Sequence, residues 1–114
     1  MEQHLRHLIS EEIEQAFNLQ GTATGKGQSD IKIICKLYNP LGSACWYLYE
    51  HFEADRYLSF TNKGDALFAN LEMISLNELS NLKLPFGLRI VRDEHFPIAQ
   101  IKLKDVYDEI KYWL

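Results

Sequence analysis

Between Ile31 and Ile74 the chain carries runs of β-branched, aromatic and alternating residues split by turn-forming sequences, and this pattern restricts the fold most. Ile31 to Tyr38 (IKIICKLY) and Ala44 to Phe52 (ACWYLYEHF) flank Asn-Pro-Leu-Gly-Ser, a hairpin signal. Tyr57 to Thr61 and Ala66 to Ile74 form a second pair around Asn62-Lys63-Gly64-Asp65, whose Asn and Gly tolerate positive φ. A four-strand antiparallel meander is predicted, with Gly87 to Arg92 as a fifth strand.

Helical signals flank the strands. Leu5, Leu8, Ile9, Ile13, Ala16 and Phe17 make one apolar stripe, and Ser10 before Glu11 and Glu12 reads as an N-cap, so the ordered helix is expected to start there. Ser75-Leu76-Asn77-Glu78 has capping-box spacing and predicts a short helix that stops before Pro85. Leu103, Val106, Ile110, Trp113 and Leu114 make a last helical stripe. Gly21 to Asp30 has three glycines and no large apolar side chain, which predicts a flexible loop. The expected fold is α+β: a four- to five-strand, mainly antiparallel meander with the N- and C-terminal helices packed on one face. With 114 residues, 46% of them apolar, residues 1–114 are read as one domain that needs no disulfide or structural metal. One shared core is expected to hold Leu5, Ile13, Phe17, Ile33, Trp46 and Leu48, joined by Leu76, Leu79, Val106 and Ile110.

Charge narrows the function classes. Twelve Lys plus Arg against sixteen Asp plus Glu give a net charge of −4, which disfavours nucleic acid as a partner and is too mild for a DNA mimic. Met1 to Asp55 holds four basic and eight acidic residues and Arg56 to Leu114 eight of each, so an anion site is expected in the second half. No apolar run approaches the roughly 18–20 residues of a membrane span, and the N-terminus does not read as a signal peptide. A cytoplasmic location is expected, with Cys35 and Cys45 as reduced, buried thiols.

From Lys36 to Phe96 the chain resembles a family of small plasmid and mobile-element proteins, domain of unknown function 2958. The marks are Leu37-Tyr38-Asn39-Pro40, Trp46-Tyr47 with Glu50, the run Met73-Ile74-Ser75-Leu76-Asn77-Glu78-Leu79, and Gly87-Leu88 through Arg92-Asp93 with His95-Phe96. The chain departs from that pattern at Glu72, at Met73 or Ile74, and at Val91. The resemblance implies a plasmid, phage or other mobile-element setting and a compact α+β domain, and carries over no catalytic residue.

Several local motifs carry chemistry only on paper. Gly21 to Lys26 lacks the spacing and the following helix of a phosphate-binding loop. His51 and Glu53 would share a strand face, but no Cys-x-x-Cys accompanies them; His4, His7 and Glu11 read as surface groups. No metal and no cofactor are expected. Alternation puts Trp46, Leu48 and Glu50 on one face and Tyr47 with Tyr49 on the other, so these rings either build a second small core or form a docking surface. Arg89, Arg92, Asp93, Glu94 and His95 are the densest ionisable run; they either grip a small anionic ligand or, through an Arg92 ion pair, pin the chain before Pro97 onto the sheet.

The binding candidates are Arg92, Asp93, His95 and Arg89, with Trp46, Tyr47 and Glu50; no catalytic residue is assigned. The leading functional expectation is a non-catalytic accessory or interaction protein of a mobile element or phage, binding a protein partner in a setting that includes host defence. The alternatives are a small-ligand or nucleotide-binding module using Arg89, Arg92, His95 and the aromatics, and a small enzyme of unspecified reaction.

Overall fold

A computed structural model of the chain describes residues 5–22, 30–63 and 70–106. Most of the Gly21 to Asp30 segment, the Gly64-Asp65 part of the second turn, His4, and the Ile110, Trp113 and Leu114 end of the last stripe lie outside the described residues.

Helix α1 is Glu11–Gln20. Ser10 Oγ accepts the Ile13 N–H, as its N-cap position predicts, and the helix ends where Gly21 adopts φ 68° and donates its N–H to the Phe17 carbonyl. Leu5 to Ile9 precede it as a separate turn closed by Leu8 and Ile9 N–H groups on the Leu5 carbonyl.

The strands are β1 (Lys32–Ile33), β2 (Cys35–Tyr38), β3 (Ala44–Glu53), β4 (Arg56–Lys63) and β5 (Asn70–Ser75). After α2 (Leu76–Asn81) and a 3-10 turn at Pro85–Gly87 come β6 (Val91–Arg92) and β7 (Ile101–Lys102). The main sheet has the order β5-β4-β3-β2-β6 and all its pairings are antiparallel, so the predicted meander and fifth strand are present. The fifth strand is shorter than Gly87 to Arg92, because Pro85–Gly87 forms the 3-10 turn and strand pairing begins only at Val91. The run IKIICKLY does not form one strand: apolar residues at 31, 33, 34, 35 and 37 change phase at Ile34, and β1 leaves to pair with β7.

Alternation on β3 and β4 divides the interior into two clusters on opposite faces. Trp46, Leu48 and Tyr57 join Ile13, Phe17 and the Leu5 to Ile9 turn on the first face. Tyr49 and Phe60 join Ile33, Leu103 and Val106 on the second. The α+β class, the antiparallel sheet and the terminal helices match the sequence expectation. The helical turn at residues 103–106, however, packs across the sheet from α1, and Ile33 and Val106 leave the expected shared core. The reason is that both faces of β3 carry large rings, and each face needs its own cover.

β3 is also bulged. Its pairing with β4 shifts between Leu48 and Glu50, leaving Tyr49 as the extra residue, and again between His51 and Glu53. The first bulge places Glu50 opposite Leu58, on the second face, so Glu50 does not share the Trp46 and Leu48 face. The second puts His51 opposite Tyr57 and Glu53 opposite Arg56, which separates the His-Glu pair that strict alternation would hold together. The Gln20 side chain accommodates the bulge: its Nε2 donates to the Tyr49 carbonyl at 2.6 Å and to the Lys32 carbonyl at 2.8 Å, while its Oε1 accepts the Lys32 N–H at 2.9 Å.

The β5 to α2 junction is fixed by two side chains. Ser75 Oγ accepts the Glu78 N–H and donates to Asp55 Oδ2, which also receives the Asn77 N–H. Ser75→Ala is expected to lower stability by about 1 kcal/mol, read as a shift in the denaturant midpoint. The Ser75 hydroxyl holds the Asp55 carboxyl below its usual range, so this carboxylate supports folding at neutral pH and loses that support as pH falls through its lowered folded value. Asp55→Asn is expected to weaken the fold at neutral pH and to flatten the acid limb of the stability curve.

Candidate functional site

The residues after β6 turn back along α1. Asp93 donates its N–H to the Lys36 carbonyl, and its Oδ1 accepts the His95 N–H at 2.9 Å, a local turn that sets the direction of residues 93–98. A cavity of about 170 Å3 opens beside this segment, lined by Arg92, Asp93, Glu94 and Phe96 on one side and by Glu12 and Ile13 of α1 on the other. A wider cleft of about 560 Å3 continues from it, sharing Glu12, Glu94, Phe96 and Ile98 and adding His95 and Leu19.

Arg92 is half-buried and its Nη1 donates to the Leu8 carbonyl at 3.1 Å, across 84 residues of sequence. The contact ties the N-terminal turn to β6. Its structural partner is a backbone carbonyl, in place of the expected acidic residue, and what it pins is the N-terminal turn. Cys35 lies at the cavity base beside Arg92; burial pushes its thiol up to about 12, against a smaller downward pull from the guanidinium. Burial likewise raises the Cys45 thiol, with smaller lowering contributions from its hydrogen bond to Tyr47 and from Lys36. Both shifts favour the neutral thiol, and Cys45 is half-buried where the sequence reading placed it in the interior.

The seven binding candidates do not converge. Arg92 and Asp93 line the cavity, and His95 sits in the adjoining wider cleft. Arg89 is exposed and lines neither space. Trp46 is a buried member of the first cluster. Tyr47 is half-buried, with its ring 6.0 Å from that of Phe96 and the Lys36 ammonium 5.4 Å above it. Glu50 is buried on the second face. Among the described residues, no group of three or more His, Cys, Asp or Glu is placed to hold a metal. No helix among them is long and apolar enough to cross a membrane.

The most exposed large ring among the described residues was not one of the candidates. Phe86 is 92% exposed at the tip of Leu84-Pro85-Phe86-Gly87-Leu88. Leu84 N–H bonds the Leu88 carbonyl at 3.1 Å and Leu88 N–H bonds the Pro85 carbonyl at 3.3 Å, closing the loop around Phe86 at φ 63° and Gly87 at φ 72°. Positive φ at consecutive central residues suits Gly or Asn, so the ring is displayed at a cost in backbone strain. Pro and Gly between flanking leucines is the sequence signal for such a turn.

The molecule is therefore an α+β protein organised around one antiparallel sheet, with an acid-lined side cleft and a projecting aromatic turn. The chain belongs to the family described as Protein of unknown function (DUF2958), whose model matches residues 8–108. No curated protein and no solved structure matches it. The segments that carry the family resemblance have structural work here: Ser75 caps α2, Leu76 and Leu79 are buried, and Arg92 and Asp93 fix the chain after β6.

Proposed function

We propose that the protein is a non-catalytic binder of a protein partner, and that the turn around Phe86 is its contact point. The supporting observation is the fully projecting Phe86 ring on a strained, closed turn, flanked by Leu82 at 46% and Leu88 at 40% exposure. Strain at such a position persists only because the surrounding backbone imposes it, and strained positions cluster at functional sites. An aromatic anchor entering an apolar pocket of a partner is the usual form of a binding hot spot. The family resemblance supports a setting on a plasmid, phage or other mobile element, host defence included, and the lack of a membrane-length apolar run in the sequence supports a cytoplasmic location. A small-anion site draws less support, since Arg92 is engaged by Leu8 and three carboxylates line the cavity around it.

The test places a photo-crosslinking phenylalanine analogue at position 86 in cells making the full chain, with position 104 as control. A discrete adduct with another protein is expected from position 86 only. With the purified adduct partner, Phe86→Gly is expected to weaken binding by about 10- to 100-fold while melting stays level or rises, because glycine relieves the positive-φ strain. Unchanged affinity in Phe86→Gly, or crosslinks alike at both positions, refutes the reading.

A further inference from the structure

The cleft between α1 and residues 93–98 combines an apolar floor with a mainly acidic rim, in which Glu12, Asp93 and Glu94 outnumber Arg92 and His95. Ile13, Ala16, Phe96 and Ile98 supply the floor, and Leu19 stands at the edge, 90% exposed. Glu12 comes from α1 and Glu94 from the segment after β6; both line both lobes, with Asp93 beside them. Three acidic residues stand in the first turn of α1 and no basic one in its last. Arg6, on the turn before α1, is paired with Glu14 at 3.1 Å; of the basic side chains that line the cleft, Arg92 donates to the Leu8 carbonyl and His95 sits in the wider lobe. The cleft therefore presents mainly carboxylates over apolar side chains.

We propose that this cleft receives a short basic segment of a protein partner in which Lys or Arg alternates with apolar residues. Apolar side chains fill the floor and cations meet Glu12 and Glu94. Charge complementarity of this kind chiefly steers encounter and rejects partners of the wrong sign. A phosphorylated or acidic segment meets like charge on both walls. The site is separate from the Phe86 turn and does not depend on it.

The probes are three short peptides titrated into the isotope-labelled full chain: one alternating Lys and Leu, one with Glu in place of Lys, and one with Gly in place of Leu. The Lys-Leu peptide is expected to move the amide signals of residues 12–16 and 94–98 and to bind about tenfold more tightly than either relative. Glu12→Gln with Glu94→Gln is expected to remove most of that advantage with melting retained. The same charge change at Asp30→Asn with Glu53→Gln leaves it intact, as does Phe86→Gly. Equal binding of the Glu-Leu peptide, signal changes confined to other surfaces, or equal loss in both charge variants overturns the proposal.

Discussion

Phe17→Ala is expected to lower stability by about 4 kcal/mol, measured by denaturant unfolding, the largest effect of any single truncation considered for this chain. Phe17 is 2% exposed and is one of the two residues of α1 buried on the first face. Its ring meets Tyr57 edge-on at 5.1 Å and His51 at 6.5 Å, while His51 stacks on Tyr57 at 4.3 Å. Truncation removes a buried ring and leaves a void that neither stacked neighbour can enter without breaking its own contacts. A loss of that size is a large share of the roughly 5–15 kcal/mol that holds a domain together. Phe17→Leu keeps most of the volume and is expected to cost less than half as much. Equal losses in the two variants would mean that filling the space beside Tyr57 contributes little.

Arg92→Ala is expected to cost about 2 kcal/mol and to lower the melting temperature by roughly 10 °C. The guanidinium is the donor that joins β6 to the Leu8 carbonyl, and Leu8 is fully buried, so its loss loosens the N-terminal turn from the sheet. Arg92→Lys is expected to recover part of the loss, because a single carbonyl needs one donor and not the planar fork. An anion-gripping Arg92 gives the reverse pattern: melting holds, inorganic phosphate no longer stabilises the variant, and Lys rescues poorly. Thermal melts with and without phosphate on the two variants separate these roles.

Secondary structure was legible in the residues because its signals are local. Period-two alternation over Ala44 to Phe52, the Asn-Pro-Leu-Gly-Ser turn, and the caps at Ser10 and Ser75 each act within a few positions; the structure keeps the strand, the turn and both caps, while bulges at Tyr49 and Phe52 interrupt the alternation. Candidate-site residues were legible as a run of ionisable groups, but their geometry was not. Arg89 precedes β6 and is exposed, whereas Arg92 on β6 and Asp93 just after it are fixed by sheet pairing and backbone bonds beside α1, so one run of charges is divided between the open surface and the cavity.

The sequence by itself determined the meander, the helix starts and the α+β class, since each depends on steric and capping preferences of near neighbours. Tertiary structure alone decided three other things. The bulges at Tyr49 and Phe52, which move Glu50 to the second face and part His51 from Glu53, arise from pairing with β4. The split of the interior into two clusters arises because rings on both faces of β3 require cover on both sides. The bond from Arg92 to Leu8 joins residues 84 positions apart, and a chain-local pattern holds no information about which backbone carbonyl will arrive beside a given guanidinium once the sheet has closed.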